Sequence, residues 1–325
     1  MKIQLLTPDL NYTGAPIASL QLVKYFLSIN CEVLVCARDG DSKNEFKKAG
    51  ALIQSRTDTL FTDCDLYIGN TVFTMEMLVD NKIPLEKIFI WAHETLSVAY
   101  ELQDKLQKLN QIRNIICVSQ FQIEEYKSVF PNASYFHLRN CVNFNKPVVN
   151  STSSSFAVVG PWMRYKNQQG LLDILKFLSL DISLNFIGTE NPGFIDKHNF
   201  WGIVNLTTAR NLISNSYGFI SASKLESQNL SAIEAILSGI PVLLSNIPAH
   251  QELKTLIPEI ILFNIDDPQS FYKGYLKMLE QKKDLVVLET NRNLAIQYFG
   301  WDAFSHTCDQ IFSGVLEGAI ISKQF

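Results

Sequence analysis

Two glutamates with seven residues between them, Glu226 and Glu234, lie in the run Ser-Lys-Leu-Glu-Ser-Gln-Asn-Leu-Ser-Ala-Ile-Glu-Ala-Ile-Leu-Ser-Gly-Ile-Pro from Ser223 to Pro241. Apolar, strand-like residues flank that run, Tyr217 to Ile220 before it and Val242 to Leu244 after it, so it reads as strand, loop, helix, strand. With Leu230 opening the helix, 100° per residue puts Leu230, Ile233 and Leu237 on one face, and Gly239 ends it. Glu234 then falls about 40° from Leu230, at the margin of the buried face. An unpaired carboxylate there costs several kcal/mol, so the position calls for hydrogen-bond donors. Glu226 sits in the loop ahead of the helix, where strands of open α/β sheets end and ligands bind. A second cluster is cationic: Arg164 and Lys166 occupy the loop Gly-Pro-Trp-Met-Arg-Tyr-Lys-Asn (160 to 167) after the strand pattern Phe156 to Val159. Two cations at a strand end either stand solvated or neutralise a departing pyrophosphate without a metal.

The elements that must carry these residues alternate along the whole chain. Strand patterns at Ile3 to Thr7, Val33 to Cys36, Leu66 to Ile68, Ile88 to Trp91 and Ile115 to Val118 are each followed by helical spacing. Gly14 and Ala15 stand in the loop before the first helix, where a glycine makes a turn or lets backbone approach a ligand, and a helix N-terminus favours anions. No G-x-G-x-x-G is present, which disfavours a nicotinamide cofactor. Trp-Ala-His-Glu (91 to 94) closes a strand and puts His93 and Glu94 at the carboxyl edge of the first half.

At 325 residues, 47% of them apolar, the chain suits two domains. The Ser/Thr run Val149 to Ser155 reads as a linker that sets the boundary near residue 150, with a cleft between two similar halves. Net charge of −4 gives no reason to expect nucleic acid as a partner. The six cysteines form no C-x-x-C pair and sit in apolar runs, so reduced core thiols and no metal site are expected, as in a cytoplasmic protein. No apolar run reaches the length of a membrane span, and Met1 leads directly into a strand pattern, which argues against an exported two-lobed binding protein.

The spacing Glu226-x7-Glu234, with Ser223 before it and Ser-Gly-Ile-Pro-Val after it, resembles the signature of retaining glycosyltransferases of the GT-B fold, family four, also known as glycosyl transferases group 1. The resemblance extends over essentially the whole chain. Gly14-Ala15-Pro16 is similar to the family loop that faces the donor diphosphate and acceptor, and His93 to a strand-end His near the transferred sugar. Val118-Ser119 and the segment 138 to 143 resemble the pieces that close the first domain, with Arg139, Cys141 and Asn143 in place of the usual Pro, Gly and Asp. The family loop G-R-x-x-x-x-K-[GN] is matched at Lys166 and Asn167, while Pro161 replaces its Arg and Arg164 is the substitute cation. Gly188, Thr189 and Glu190 would border the nucleotide, whose base would meet the segment 200 to 206, and His250 to Leu253 echoes a further family segment.

The resemblance implies an α/β protein of two Rossmann-like parallel-sheet domains facing across a cleft: an acceptor domain over 1–150, a nucleotide-sugar donor domain over 151–300, and a last helix over 301–325 packing back on the first. Expected catalytic residues are Lys166, Arg164, Glu226 and His93. Gly14, Ala15, Gly188, the N–H groups of Asn229 and Leu230, and Glu234 are expected to bind the donor, Glu234 through the ribose. The donor would be a UDP-sugar in preference to a GDP-sugar, with no cofactor and no metal. The acceptor would be a glycan, a lipid-linked glycan or a protein. The implied location is cytoplasmic, with peripheral contact at the inner face of the membrane. A relative that binds a nucleotide-sugar without catalysis is the rival expectation, prompted by Pro161.

Overall fold

The structure is a computed structural model and describes residues 1–55, 63–100, 110–144, 153–193 and 197–322. The expected linker lies outside the described residues up to position 152. The chain divides into two units, Met1–Cys141 with Trp301–Phe325, and Val142–Gly300.

In the first unit the elements run β1 (Lys2–Leu6), α1 (Gly14–Ser28), β2 (Glu32–Ala37), α2 (Lys43–Ala49), β3 (Leu52–Ser55), β4 (Leu66–Asn70), α3 (Met75–Asp80), β5 (Ile88–Ala92), α4 (Leu96–Tyr100), β6 (Asn114–Cys117), α5 (Gln120–Val129) and β7 (Ser134–His137). The strands form one parallel sheet ordered β3-β2-β1-β4-β5-β6-β7. Every residue of β4 and β5 is buried, as in a sheet covered on both faces, which is why these strands read as continuous apolar runs. Side chains still alternate between two cores: Ile3 and Leu5 join Phe89 and Trp91 on one face, while Leu6 joins Ile88 and Ile90 on the other.

The second unit contains β8 (Phe156–Val159), α6 (Gln168–Phe177), β9 (Leu184–Ile187), β10 (Asn199–Phe200), α7 (Leu206–Ser214), β11 (Phe219–Ser221), α8 (Leu230–Leu237), β12 (Val242–Ser245), α9 (Pro248–Leu256), β13 (Ile261–Phe263), α10 (Pro268–Gln281) and α11 (Leu285–Phe299). Its parallel sheet is ordered β10-β9-β8-β11-β12-β13. Gly300 leaves the helical region at φ −75°, ψ 172° and separates α11 from α12 (Trp301–Ser322).

The division falls after Cys141 rather than near residue 150. Val142 N–H donates to the Phe299 carbonyl at 2.9 Å, and Val142 and Phe144 pack into the second unit's core. From Trp301 the chain belongs to the first unit: Phe304, Cys308 and Phe312 share a core with Ile3, Tyr25 and Phe26, and Tyr25 Oη donates to Asp309 Oδ1 at 2.8 Å. Sequence patterning misses β3, β7, β10 and β13. All four are sheet edges, and the half-exposed residues of β3 and β7 and the two- and three-residue lengths of β10 and β13 leave little apolar signal.

Candidate functional site

In the second unit strand order reverses between β8 and β11, so the loops leaving their carboxyl ends open a crevice. The loop after β8 carries residues 160 to 167 and the loop after β11 carries 222 to 229. Two bonds staple them: Asn167 Nδ2 donates to the Ala222 carbonyl at 3.1 Å, and Lys224 N–H to the Tyr165 carbonyl at 2.7 Å. Lys166 Nζ thereby reaches Glu226 Oε1 at 2.8 Å, with 20% and 10% of the two side chains exposed. A Cβ on Gly160 would crowd the lysine stem, 3.3 Å from Lys166 Cε, and the φ of +129° there favours glycine in any case. Gly188, at φ +90°, lies against Gly160 in turn.

Behind the pair the protons all point one way. Asn229 Nδ2 donates to Ser221 Oγ at 3.2 Å, Ser221 Oγ and Ser223 Oγ are 3.1 Å apart, and Ser223 Oγ donates to Glu226 Oε1 at 2.8 Å. With Ser223 committed as donor to the carboxylate, Ser221 must be its donor, so the chain terminates on Glu226 together with Lys166.

Asn229 also caps α8: its Oδ1 accepts from Ala232 N–H at 3.1 Å and its carbonyl from Ile233 N–H at 3.2 Å. The N–H groups of Leu230 and Ser231 precede the first bond within the helix and carry its positive end. Since the Asn229 amide nitrogen can only donate, His250 Nε2, 3.0 Å away, accepts. The ring proton is then on Nδ1, facing the Ser245 carbonyl at 2.7 Å. Burial lowers the His250 pKa against the pull of Glu226, so the ring is a neutral brace for the cap. Sequence reasoning named Lys166, Glu226 and Asn229 but gave the ring of His250 no such part. Its position just after a strand end was the available signal.

Glu234 lies one turn into α8 and is 8% exposed. Its required donor is Arg210 of α7, whose Nε stands 2.8 Å from Glu234 Oε1. The guanidinium also donates from Nη1 to the Asn143 carbonyl at 3.4 Å and lies 4.9 Å over the Phe144 ring. Burial pushes the Glu234 carboxyl up and Arg210 draws it down. The two glutamates thus hold different cations, Lys166 and Arg210. Arg164 joins neither: it is exposed, and no hydrogen bond or ion pair ties it among the described residues.

The first unit has its own strand switch, between β1 and β4. A cavity of about 430 Å³ opens there, with Asp9, Ala15, Arg38, Thr71 and Glu94 in its lining. Gly14 is the first residue of α1 and exposed, and the Ala15 carbonyl accepts from Asn70 Nδ2 at 3.0 Å. Asn70 Nδ2 also reaches Thr7 Oγ1 at 3.1 Å, which leaves Oδ1 to accept from His93 Nε2 at 2.8 Å. His93 rests on Trp91, ring centres 4.6 Å apart, and it is Glu94, not His93, that lines the cavity.

Burial pushes His93 down to about 3 and Glu94 up to about 7, the latter against N–H donors from Val72 and His93 at 3.1 and 3.2 Å. Between pH 4.5 and 7 folded Glu94 keeps a proton that the unfolded chain has released, so its contribution to stability is present below 4.5 and lost as pH rises through 7. His93 acts oppositely between pH 3 and 6.5. Glu94→Gln is expected to gain stability relative to the wild type by about 1–3 kcal/mol from pH 4.5 to pH 7.5, read by urea unfolding at both pH values. A difference independent of pH would mean that the carboxyl is solvated.

The six cysteines are buried. Among the described residues no His, Cys, Asp and Glu cluster is arranged to hold a metal ion, and no helix is long and apolar enough to cross a membrane.

No protein-family profile matches the chain, and no curated protein matches it in sequence. Solved structures do. Anabaena Alr3699/HepE in complex with UDP and glucose superimposes with a TM-score of 0.79 at 15% identity, covering 96% of this chain and 99% of that one. Sucrose-phosphate synthase from Thermosynechococcus elongatus gives 0.79 at 14% identity over 98% and 100% of the two chains. A variant of S. aureus TarM with UDP gives 0.73 at 11% over 96% and 99%. What is shared at these identities is the fold: two Rossmann-like parallel sheets with their helices, as in GT-B glycosyltransferases.

Proposed function

We propose that this protein is a retaining glycosyltransferase of family four that moves a sugar from a nucleotide-sugar to an acceptor hydroxyl in the synthesis of a glycan, polysaccharide or glycoconjugate. The observation that carries this reading is the Lys166–Glu226 pair, 2.8 Å apart at the β8/β11 switch beside the N-terminus of α8. In transfer, the bond from the sugar's anomeric carbon to the phosphate oxygen breaks and its electron pair goes to the diphosphate. Lys166 and the N–H groups at the start of α8 stabilise that charge, each preorganised donor contributing about 3 kcal/mol. Glu226 holds sugar hydroxyls through the oxygen left beside Lys166, Gly188 lets the diphosphate approach backbone, and Glu234 receives the ribose. The acceptor oxygen forms the new bond on the face the diphosphate leaves, and its proton passes to the departing phosphate oxygen. In the first unit, Glu94, in the lining of the β1/β4 cavity, is assigned to the acceptor.

UDP is the favoured nucleotide, since the Anabaena neighbour is found with UDP and with UDP-glucose. The proposed setting is cytoplasmic, with peripheral contact at the inner membrane face. Glu234→Gln is expected to weaken UDP binding about tenfold or more in a protein that still folds, measured by calorimetry. Unchanged affinity would remove the ribose from Glu234.

One observation favours a second reading, a nucleotide-sugar-binding subunit without catalysis: Pro161 stands where the family carries Arg, and Arg164 is exposed, with no bond among the described residues that would aim it. Hydrolysis of donor in the absence of acceptor separates the two. Turnover supports the enzyme, and binding without turnover supports the subunit.

A further inference from the structure

Glu234 is bonded in an unusual way for a buried carboxylate. Arg210 meets it through a single contact, Nε to Oε1, rather than the two-pronged pairing that a guanidinium readily makes. The guanidinium is turned for this by its other contacts, the Asn143 carbonyl at Nη1 and the Phe144 ring on its face. The second carboxylate oxygen, Oε2, takes no bond from the described residues, and 10% of the side chain remains exposed. One oxygen is therefore anchored and the other is left for a ligand.

From this geometry we infer that Arg210 is a positioning residue for the nucleotide: it anchors Glu234 through Oε1 and keeps it ionised, so that Oε2 accepts hydrogen bonds from the ribose. The inference rests on the reading above that Glu234 receives the ribose. A carboxylic acid in this place would present a donor where the hydroxyls need acceptors, and burial drives Glu234 toward that neutral form.

No other charge does the work of Arg210. It is the one titratable group on α7, as Glu234 is on α8, and β11, β12 and residues 143 to 144 carry none. On α11, which packs along α8, Arg292 Nη1 is bonded to Glu289 Oε1 at 2.8 Å, and neither contributes to the displacement of Glu234.

The experiment is UDP calorimetry from pH 6.5 to 8.5 on the wild type, Arg210→Met, Arg210→Lys and Glu234→Gln. The quantity read is the ratio of wild-type to variant affinity, in which the titration of UDP itself cancels. For Arg210→Met the expected ratio is about tenfold or more at pH 6.5 and shrinks by up to about tenfold per pH unit as Glu234 regains its charge. Arg210→Lys, which keeps a cation but not the planar group held by Phe144 and Asn143, is expected to give a ratio that does not vary with pH. Glu234→Gln is expected to lose affinity by a factor independent of pH. A pH-independent ratio for Arg210→Met, alongside weakened binding by Glu234→Gln, overturns the role of Arg210 alone. Undiminished binding by Glu234→Gln overturns the ribose reading itself. Should Arg210→Met not give a folded protein by circular dichroism, Arg210→Gln, which retains an N–H donor without charge, takes its place with the same expected profile.

Discussion

Lys166→Ala is expected to lower the rate of sugar transfer by about 10²–10³-fold while weakening UDP binding by less than about tenfold. In the resting protein the ammonium is committed to Glu226 at 2.8 Å, and the charge it would meet in transfer grows only as the diphosphate departs. A group that interacts more strongly with the separated charge than with the intact donor lowers the barrier and leaves ground-state binding nearly alone. The substitution also strips Glu226 of its cation, although Ser223 Oγ still donates to it. Because 20% of the lysine and 10% of the glutamate side chain remain exposed, the accompanying loss of stability is put at about 1–3 kcal/mol, below that of a fully buried pair. Single-turnover rates and UDP calorimetry on the same preparation decide the matter. Equal losses in both would make Lys166 a binding cation and nothing more.

Phe312→Ala is expected to destabilise the first unit by about 3–5 kcal/mol. The ring is fully buried on α12, with centroids 5.1 Å from Phe26, 5.5 Å from Phe89 and 6.4 Å from Tyr25, so it touches both α1 and β5. Truncation opens a cavity that three large aromatic neighbours cannot close by small shifts, and it removes ring-edge contacts beyond the transfer term. Phe177 on α6, 71% exposed, is the control, and its replacement by Ala should change stability by less than about 0.5 kcal/mol. Urea unfolding followed by tryptophan fluorescence, with Trp91 and Trp301 in the first unit, gives the comparison. A cost below about 1 kcal/mol for Phe312→Ala would mean that residues after Gly300 contribute little to this core.

The geometry does rearrange two expectations. Arg164, expected to share the diphosphate with Lys166, is a surface side chain, because the loop that turns Lys166 inward over Gly160 leaves its neighbour two positions back in solvent. His93 is committed to Asn70, and it is Glu94 that meets the cavity of the first unit.

What the amino-acid sequence determined by itself is local. The buried parallel strands announce themselves as continuous apolar runs, and α8 begins at Leu230 and stops ahead of Gly239, whose φ of +69° a side chain would strain. The demand of Glu234 for a donor also follows from helical spacing alone. The donor's identity does not: Arg210 comes from another helix 24 residues earlier, and Lys166 from a loop 60 residues before Glu226. Periodicity reports which face of an element is buried but not which element covers it. Only the reversal of strand order at β8 and β11 brings the two loops together, and only the return of the chain at Trp301 completes the first core. The short edge strands escaped for the related reason that an edge, half in water, needs few apolar residues to exist.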